Sequence, residues 1–543
     1  MKNKAIAVVS ALCLAAADVS SVPVYLEASA VIWEDMDTLK SVTIDSSELH
    51  INETAQISVE WNDNYEDKSY VEYSSSRTTV AMVDNSGKVT ANGCGTAVIT
   101  VSANGEEFTV TVNVKPVENS GTFGDGMLWS FDEETSTLTV SGEGELELGD
   151  NAPWFDWHSF IKKAVISEGI TNIPEDMFPI CTKLETVELP STVVSIDPLA
   201  FLISISLSEI NVSPENPAYT SLDGVLFSKD MTELVKYPIN KADEEYAVPD
   251  GVEKLGTIAF ALCKNLRSAV IPDSVTRIEE NFTDCKSLEA VRMSEGLEYI
   301  NGRSLQNTPW IAAQRESNPI IVFNGILFDG KAFAGEYTIS DDITSLADFA
   351  FMHDEELTSV VMPRNMDEIS VCAFDSCTSL KNVTFSEDLR SIGAYAFSDT
   401  ALTNVVVPRT VENIDIGAFD YCPDLMSVTI LDPECTIYDD KTTICNSSSM
   451  NSATVYSGVI RGYKGSTAEK YAEKYGYSFE EITSIKGDVN LDGEVTAADL
   501  VALGNYVLGD RRAAVYGCEN GDISSDGRIS SLDVCMLRKL LTE

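Results

Sequence analysis

Basic residues are scarce in this chain. Among 543 residues, 37 lysines and arginines stand against 86 aspartates and glutamates, so the formal net charge is −49. Nucleic acids and anionic membrane surfaces are bound through basic faces, and this balance argues against both as partners. Long apolar runs are also missing, because no segment beyond the first thirty residues approaches the 18 apolar residues of a membrane-spanning helix. We therefore predict no nucleic-acid partner and no membrane span.

Signatures of catalysis are equally few. The three histidines, His50, His158 and His353, are scattered over two predicted modules. The sequence contains no His-Glu-x-x-His, no Gly-x-Ser-x-Gly and no P-loop. Carboxylates are so numerous that a glycosidase-type acid and base cannot be recognised by pattern. The prediction is a non-catalytic protein, with a hydrolase acting on polysaccharide through an unrecognised site as the alternative.

The first thirty residues have the pattern of an export signal. Lys2 and Lys4 precede an apolar run over residues 5–17, and Ala28, Ser29 and Ala30 form a small-x-small cleavage site. A cut after residue 17 is the other possibility. This pattern predicts a signal peptide over residues 1–30 and a secreted, extracellular protein.

Cysteine use differs from that of a disulfide framework. Of twelve cysteines, Cys13 lies in the predicted signal, and five others precede a repeated leucine by three residues. A small buried hydrophobe explains that position better than disulfides do; the five are Cys181, Cys263, Cys285, Cys377 and Cys422. Cys435 and Cys445 are able to pair, and the sequence leaves that open.

Residues 38–115 alternate apolar and polar side chains in short runs separated by turn residues. Examples are the runs at 41–44, 55–59, 97–101 and 108–114. This spacing is typical of a β-sandwich. The sequence VAMVD at 80–84, followed by SGKVT at 86–90 and GCGTAVI at 93–99, resembles the bacterial Ig-like group 2 domain. The resemblance implies a spacer module.

From residue 160 to 480 the chain repeats itself every 22 or 23 residues. The repeated leucines include Leu357, Leu380, Leu402 and Leu425, and each opens a short strand. An Ala-Phe pair follows in most units, as at 373–374 and 396–397, so one unit is a strand, a turn and a short helical or irregular return. Stacked units bury a continuous core. The pattern resembles the BspA-type leucine-rich repeat, with about twelve strands and a stack roughly 50 Å long.

Three other segments of the repeat region have a predicted role. Two hairpins, at 222–227 and 323–328, interrupt the register with an Asp-Gly and an Asn-Gly turn. Strands at 129–131 and 138–140 are predicted to cap the solenoid at its N-terminal end. A helix over 466–474 is predicted to help close the other end.

The most specific motif lies near the C-terminus. Counted from Asp488, oxygen-bearing side chains fall at positions 1, 3, 5, 9 and 12 of a loop, with glycine at position 6, and the pattern recurs 34 residues later. This is the spacing of an EF-hand calcium loop, with aspartate at position 12. Three carboxylates in one loop repel one another by roughly 1–4 kcal/mol per close pair, which a divalent cation removes. The predicted ligands of two Ca²⁺ sites are Asp488, Asn490, Asp492, Glu494, Thr496 and Asp499 in the first loop, and Asp522, Ser524, Asp526, Arg528, Ser530 and Asp533 in the second, with Glu494 and Arg528 contributing carbonyl oxygens.

Each loop leads into an amphipathic helix, predicted over 500–508 and 534–541, and neither is preceded by the entering helix of a true EF-hand. Two such units in the last 57 residues resemble a type I dockerin. The resemblance implies a cohesin domain of a scaffolding protein as partner, bound through loop positions 10 and 11 and helix positions 17 and 18. In the first unit these are Ala497, Ala498, Gly504 and Asn505, and in the second Ser531, Leu532, Arg538 and Lys539.

The expected architecture is multidomain: an Ig-like β-sandwich, a leucine-rich-repeat solenoid of short parallel strands with turns and short helices, and a small α-helical dockerin with two calcium loops. The expected boundaries are 1–30 for the signal, 31–117 for the Ig-like domain, 118–160 for the cap, 161–480 for the repeats, 481–486 for a linker and 487–543 for the dockerin. The function expected is that of a secreted, cellulosome-type component associated with plant polysaccharide degradation, whose solenoid binds a glycan or protein ligand. A surface adhesin is a further alternative.

Overall fold

A computed structural model describes residues 39–62, 71–103, 106–149, 151–447, 455–491, 493–510, 512–513 and 515–542. The predicted signal peptide and Asp492 of the first acidic loop lie outside these residues. The chain divides into two compact units, Met1–Lys115 and Pro116–Glu543. Within the described ranges, no helix has the length and apolar character needed to cross a bilayer.

The first unit is a β-sandwich of two four-stranded sheets, with strand orders β1-β3-β6-β5 and β2-β8-β7-β4. Alternate residues of β7 are buried along its whole length, so one face of the strand packs into the core. The predicted β-sandwich is confirmed. Its strands are β1 (Leu39–Ile44), β2 (Glu48–His50), β3 (Thr54–Trp61), β4 (Glu72–Ser75), β5 (Ala81–Val83), β6 (Lys88–Ala91), β7 (Gly95–Ala103) and β8 (Glu106–Lys115).

The second unit contains the solenoid and the acidic loops. Its strands are β9 (Ser120–Phe123), β10 (Met127–Asp132), β11 (Thr137–Ser141), β12 (Lys163–Ile166), β13 (Asn172–Ile173), β14 (Thr186–Leu189), β15 (Ser195–Ile196), β16 (Glu209–Val212), β17 (Tyr219–Leu222), β18 (Val225–Ser228), β19 (Glu233–Lys236), β20 (Glu245–Ala247), β21 (Lys254–Leu255), β22 (Ser268–Val270), β23 (Arg277–Ile278), β24 (Ala290–Arg292), β25 (Tyr299–Ile300), β26 (Ile321–Phe323), β27 (Ile326–Asp329), β28 (Gly335–Thr338), β29 (Ser345–Leu346), β30 (Leu357–Val361), β31 (Glu368–Ile369), β32 (Asn382–Thr384), β33 (Ser391–Ile392), β34 (Asn404–Val407), β35 (Asn413–Ile414), β36 (Ser427–Ile430), β37 (Thr436–Ile437), β38 (Val459–Gly462) and β39 (Ser478–Glu481). The described α-helices are α1 (Pro309–Ser317), α2 (Thr467–Tyr475), α3 (Ala497–Val507), α4 (Cys518–Gly521) and α5 (Ser531–Leu540).

The repeats stack as coils, and each coil contributes a strand to a parallel ladder. Val187 of β14 pairs with Ile210 of β16, and Val405 of β34 pairs with Val428 of β36, so the register equals the repeat length. A second parallel ladder is built from two-residue strands, as in the sheet β31-β33-β35-β37. The short helical or irregular return predicted for each unit therefore begins with a two-residue strand. Two residues are too few for an alternating pattern, so the sequence carried no strand signal there.

The Ala-Phe segment forms a third hydrogen-bonded row. The backbone N–H groups of Cys372, Phe374 and Ser376 donate to carbonyls of the next coil at 2.8–2.9 Å. Cys372 and Ser376 have φ of 52° and 59°, in the left-handed region, so alternate N–H groups point along the stack. Every side of a coil is thus tied to the next one, which holds exposed side chains of successive coils in register.

The core of the solenoid contains a column of stacked phenylalanines. The ring centroids of Phe351, Phe374, Phe397 and Phe419 follow one another at 5.1, 5.2 and 5.7 Å with nearly parallel planes. The five repeat cysteines are buried, as predicted, and Cys377 and Cys422 donate to carbonyls of the preceding coil. Burial raises the pKa of the Cys377 thiol. Cys435 and Cys445 are free thiols, so the pairing left open by the sequence is not formed.

Two hairpins interrupt the stack where the dipeptides predicted them. Asp223 and Gly224 join β17 to β18, and Asn324 and Gly325 join β26 to β27, all four with positive φ. Positive φ at both central residues is the type I′ turn that Asp-Gly and Asn-Gly favour. The antiparallel strands β9 to β11 extend the solenoid sheet β16-β14-β12-β11-β10-β9 at the N-terminal end of the solenoid. At the other end, α2 and β39 pack against the last coils.

Candidate calcium and partner-binding site

The first acidic loop is closed by its own aspartates. Asp488 at position 1 accepts a hydrogen bond from the backbone N–H of Gly493 at 3.0 Å, and Gly493 has φ of 94°. Asp499 at position 12 accepts from the N–H groups of Val489 at 2.9 Å and Asn490 at 3.2 Å. Both aspartates are buried. The carboxylates of positions 1 and 12 therefore both lie inside the loop, where they bind its backbone N–H groups.

The second loop has the same geometry. Asp522 accepts from the N–H groups of Gly527 at 2.8 Å and Asp526 at 3.0 Å, and the Ser524 hydroxyl donates to it at 3.2 Å. Asp533 accepts from Ser524 N–H at 2.8 Å. Burial opposes ionisation of Asp533, but backbone N–H donors from Ser524 and Ser530 outweigh it and hold its pKa at about 2. The carboxylate is thus ionised at neutral pH, as a calcium ligand must be.

The helices begin three residues earlier than predicted, at Ala497 and Ser531 rather than at residues 500 and 534. Each starts with a capping box. Thr496 Oγ1 accepts from the N–H of Ala498 at 3.1 Å, and Asp499 Oδ2 accepts from Thr496 N–H at 2.8 Å. Ser530 and Asp533 repeat both contacts in the second unit. The predicted ligands at positions 9 and 12 therefore also set the helix start, because the capping box ends the non-helical loop.

The two loop–helix units pack as one body around a small core. Val489, Leu503, Ile523 and Leu537 are buried there, and α3 lies against α5. The second loop is preceded by α4, a single helical turn of four residues, which is far shorter than the entering helix of an EF-hand. Four residues are too short to show a helical period in the sequence.

Asn520, at the end of that turn, was not among the predicted site residues. Its side-chain nitrogen donates to the backbone carbonyl of Asp488 at 2.8 Å. Its side-chain oxygen accepts from Ser484 Oγ at 2.8 Å. The backbone carbonyl of Asn520 accepts from the N–H of Gly487 at 2.9 Å. A residue just before the second loop thus holds the start of the first. Loop spacing gave no signal for it.

The residues present fit a calcium ion. Both loops offer carboxylate, amide or hydroxyl oxygens at the required positions and place glycine with positive φ at position 6. Among the described residues no group of three His, Cys, Asp or Glu side chains is arranged for a metal ion, and Asp492 at position 5 is not one of those residues. In the second loop, Asp526 accepts from the N–H of Arg528 at 3.0 Å. Because the guanidinium is a cation that has donors and no acceptor, Arg528 can offer calcium only its backbone carbonyl.

The residues predicted to contact a partner lie on the surface of α3 and α5. Ala497, Ala498, Ser531, Leu532, Arg538 and Lys539 are exposed, while Gly504 and Asn505 are half-buried. Beyond these, α5 exposes Met536 and Leu540, each one helical turn further along from Leu532. Val501 on α3 and Leu508, directly after its end, are exposed apolar side chains as well. The i, i+4, i+8 spacing on α5 was the signal from which the sequence could have predicted this stripe.

Glu188, Arg292 and Thr384 lie on strands of the solenoid, where exposed side chains are candidates for ligand contact. Glu188 forms an ion pair with Lys163 at 2.6 Å, and Arg292 forms one with Asp273 at 3.4 Å. Thr384 is half-buried in β32. The two charged residues are therefore engaged with neighbouring coils.

Models of three domain types match the chain. The BspA type leucine rich repeat region matches residues 150–243, 218–333 and 344–461, which together make up more than half of the chain. The dockerin type I domain matches residues 486–542, and the intimin immunoglobulin-like domain matches residues 69–105. These matches confirm the repeat, dockerin and Ig-like resemblances, and all three are non-catalytic domain types.

The solved structures that match this chain include leucine-rich repeat proteins of bacteria. A leucine-rich repeat protein from Eubacterium ventriosum is 17% identical, covers 63% of this chain and 98% of its own, and has a TM-score of 0.29. A leucine-rich repeat protein from Bacteroides ovatus is 17% identical, and the match covers 66% of this chain and 99% of that protein, with a TM-score of 0.29. A leucine rich cell surface protein from Faecalibacterium prausnitzii is 18% identical, and the match covers 49% of this chain and 94% of that protein, with a TM-score of 0.26. No curated protein matches the chain.

Proposed function

Because this chain belongs to the BspA type leucine rich repeat family and carries a dockerin type I domain, we propose that it is a secreted, non-catalytic component of a cellulosome-like complex. Residues 487–543 attach it, with Ca²⁺, to a cohesin domain of a scaffolding protein. The solenoid presents a binding surface for a glycan or protein ligand in plant polysaccharide degradation, and the Ig-like module serves as a spacer.

One observation carries this proposal. The two acidic loops close in the same way, with position 1 accepting from the glycine N–H and position 12 accepting from position 3. A surface turn that is merely acidic has no reason to repeat this bonding 34 residues later. Two matching loops, each followed by a capped helix, are what a pair of calcium-dependent docking units requires.

The metal would be held by the predicted oxygen ligands, with Glu494 and Arg528 contributing carbonyls. When bound, Ca²⁺ supplies positive charge that offsets the repulsion between the loop carboxylates. The chain's own part is to orient those oxygens and to start α3 and α5 at a defined residue. The exposed side chains of the two helices, including Leu532 and Arg538, are then held in a fixed arrangement for the partner.

Surface plasmon resonance of the full chain over an immobilised panel of cohesin domains tests the proposal. Binding is expected in Ca²⁺ and is expected to disappear in EDTA. The double variant Asp488→Ala, Asp522→Ala should not bind, whereas Asp424→Ala, an exposed acid of the solenoid, should bind as the unmodified chain does. Binding that survives EDTA, or no binding to any cohesin, would contradict the proposal.

A further inference from the structure

Two of the repeat cysteines, Cys263 and Cys285, occupy the same position of consecutive coils. Cys263 lies five residues before β22 and Cys285 five residues before β24, and the first residues of these strands, Ser268 and Ala290, pair with each other. Consecutive strands of a ladder are about 4.8 Å apart. A disulfide bond requires Cα atoms roughly 4.4–6.8 Å apart. The register therefore sets the two cysteines at a spacing that a disulfide can span.

The two thiols meet inside the core. Both cysteines are buried, and Sγ of Cys285 donates to the carbonyl of Phe260 at 3.0 Å. The backbone N–H of Cys263 donates to the same carbonyl at 3.3 Å. Burial, and then a hydrogen bond with the Cys285 thiol, raise the pKa of Cys263. One carbonyl thus holds the Cys285 thiol beside the backbone of Cys263, and the two side chains are in contact.

Cys377 shows the contrasting arrangement. It lies three residues after Phe374 of the phenylalanine column, and the same position in the adjoining coils is Asp354 on one side and Thr400 on the other. Its thiol donates to a backbone carbonyl and has no cysteine of the same repeat position beside it. This thiol needs no role beyond that of a small buried side chain.

A buried lysine lies beside the cysteine pair. The Lys236 side chain is buried, and its ammonium donates to the carbonyl of Ile258 at 3.0 Å. Burial lowers the pKa of Lys236 to about 8, and the neighbouring Cys263 and Cys285 oppose that shift. In turn, the Lys236 charge lowers the pKa of Cys263. Lys236 therefore favours the thiolate, which is the reactive form in thiol–disulfide exchange.

The pair lies in a short block of the solenoid. Strands β20, β22 and β24 form a sheet of only three, between the two hairpins that interrupt the stack. The buried apolar residues around them form a core of their own, which extends from Val225 to Ala347. Each coil of a solenoid depends on its neighbours to bury its apolar side. A covalent link between two coils would therefore stabilise a block that has few of them.

We propose that Cys263 and Cys285 are a modification site, which oxidation converts into a disulfide bond between consecutive coils. In the structure both are free thiols. The oxidant is a small disulfide of the glutathione class, and the oxidising setting rests on the proposed secretion. The Cys263 thiolate attacks one sulfur of that disulfide and releases the first small thiolate. Cys285 then attacks Sγ of Cys263 and releases the second.

The reaction balances without a further reactant. Each attacking thiol gives up its proton, and each small thiolate that leaves takes one, so two small thiols are formed. The two cysteines lose two electrons in total, and the small disulfide gains them. Because both thiols are buried once the coils have stacked, the attack on the oxidant takes place while the solenoid folds.

Peptide mapping of the full chain by mass spectrometry tests this proposal. The chain is refolded from urea in buffers of reduced and oxidised glutathione, free thiols are blocked with N-ethylmaleimide, and trypsin is added without a reductant. Trypsin separates the two cysteines into the peptides 255–264 and 278–286, because a lysine or arginine precedes and ends each. We expect these peptides to be joined in the oxidised samples and alkylated separately in the reduced ones.

Two variants show whether the joining is specific. Cys285→Ser should abolish the joined peptides and leave Cys263 alkylated. The matched control is Cys377→Ser, which removes another buried cysteine of the same repeat position and should leave the joined peptides unchanged. Absence of the joined peptides at every ratio of the two glutathione forms would overturn the proposal. So would joining of Cys263 to other cysteines as often as to Cys285.

Hydrogen exchange of the same samples measures what the bond does. Residues 255–292 should exchange about tenfold or more slowly in the oxidised chain than in the reduced chain, because closing the loop from Cys263 to Cys285 restricts the open state. Cys285→Ser should show no difference between the two conditions. Equal exchange in both forms of the unmodified chain would overturn the stabilising role. Cohesin binding of the same samples reports separately on the docking function.

Discussion

The side-chain amide of Asn520 donates a hydrogen bond to the backbone carbonyl of Asp488 at 2.8 Å. A residue that precedes the second loop thereby fixes the first residue of the first loop, 32 positions earlier. The two acidic loops are therefore parts of one folded body rather than two independent turns.

Asn520→Ala should weaken calcium binding at the first loop. The change leaves the buried Asp488 carbonyl without this donor, which costs about 1–3 kcal/mol. Titration calorimetry with Ca²⁺ on the full chain measures the effect, with Asn505→Ala on α3 as the control. An unchanged first site would mean that the contact does not support the loop.

Calcium should order the C-terminal module. Without a cation the loop carboxylates repel one another, and this removes the framework that starts α3 and α5. Hydrogen exchange followed by mass spectrometry should show protection of residues 487–543 in Ca²⁺ and its loss in EDTA, with the solenoid peptides unchanged. Equal protection in both conditions would end the calcium hypothesis.

The second site should bind calcium more weakly than the first. Ser524 stands at position 3 where the first loop has Asn490, and a hydroxyl is a poorer calcium ligand than an amide oxygen. Calorimetry of Asp488→Ala should leave a weak site, and that of Asp522→Ala a strong one. The reverse order would refute this.

Cohesin should be bound in one dominant orientation, with α5 making most contacts. Leu532 is 52% exposed and begins an apolar stripe that continues to Leu540, with Arg538 beside it. Losing a buried charged contact at an interface costs about 2–5 kcal/mol. Leu532→Asp combined with Arg538→Ala should therefore reduce cohesin affinity strongly, and Ala498→Asp hardly at all. Equal losses would show that both helices are used alike.

The stability of the solenoid should depend on pH through Asp354. Burial raises the pKa of this carboxyl from 3.8 to about 6, even though the N–H groups of Glu356 and Leu357 bind it. Within the described part of the chain, its Oδ2 has no hydrogen-bond partner.

The folded state holds this proton more tightly than the unfolded state, so stability is lost as pH rises from about 4 through 6. Asp354→Asn should stabilise the repeats at pH 7.5, by on the order of 2 kcal/mol, and change nothing at pH 4. Urea unfolding of the full chain at the two pH values measures the difference. A stabilisation of equal size at both would exclude ionisation as its cause.

Sequence spacing alone was sufficient for the order of the domain types and for the position of the two acidic loops. Leucines 22 or 23 residues apart imply a stack of coils, because a short strand with one apolar face has no other way to bury it. The acidic loops follow equally directly, since the ligand positions of a calcium loop are local in sequence. The Asp-Gly and Asn-Gly turns were likewise local signals.

Features that join residues of different coils or loops came only from the tertiary structure. The two-residue ladder, the left-handed row through Cys372 and Ser376 and the contact of Asn520 with Asp488 are bonds between distant segments, and no local pattern encodes them. The packing of the Tyr395 ring against the next coil belongs to the same class, because it depends on Gly417 lying beneath that ring.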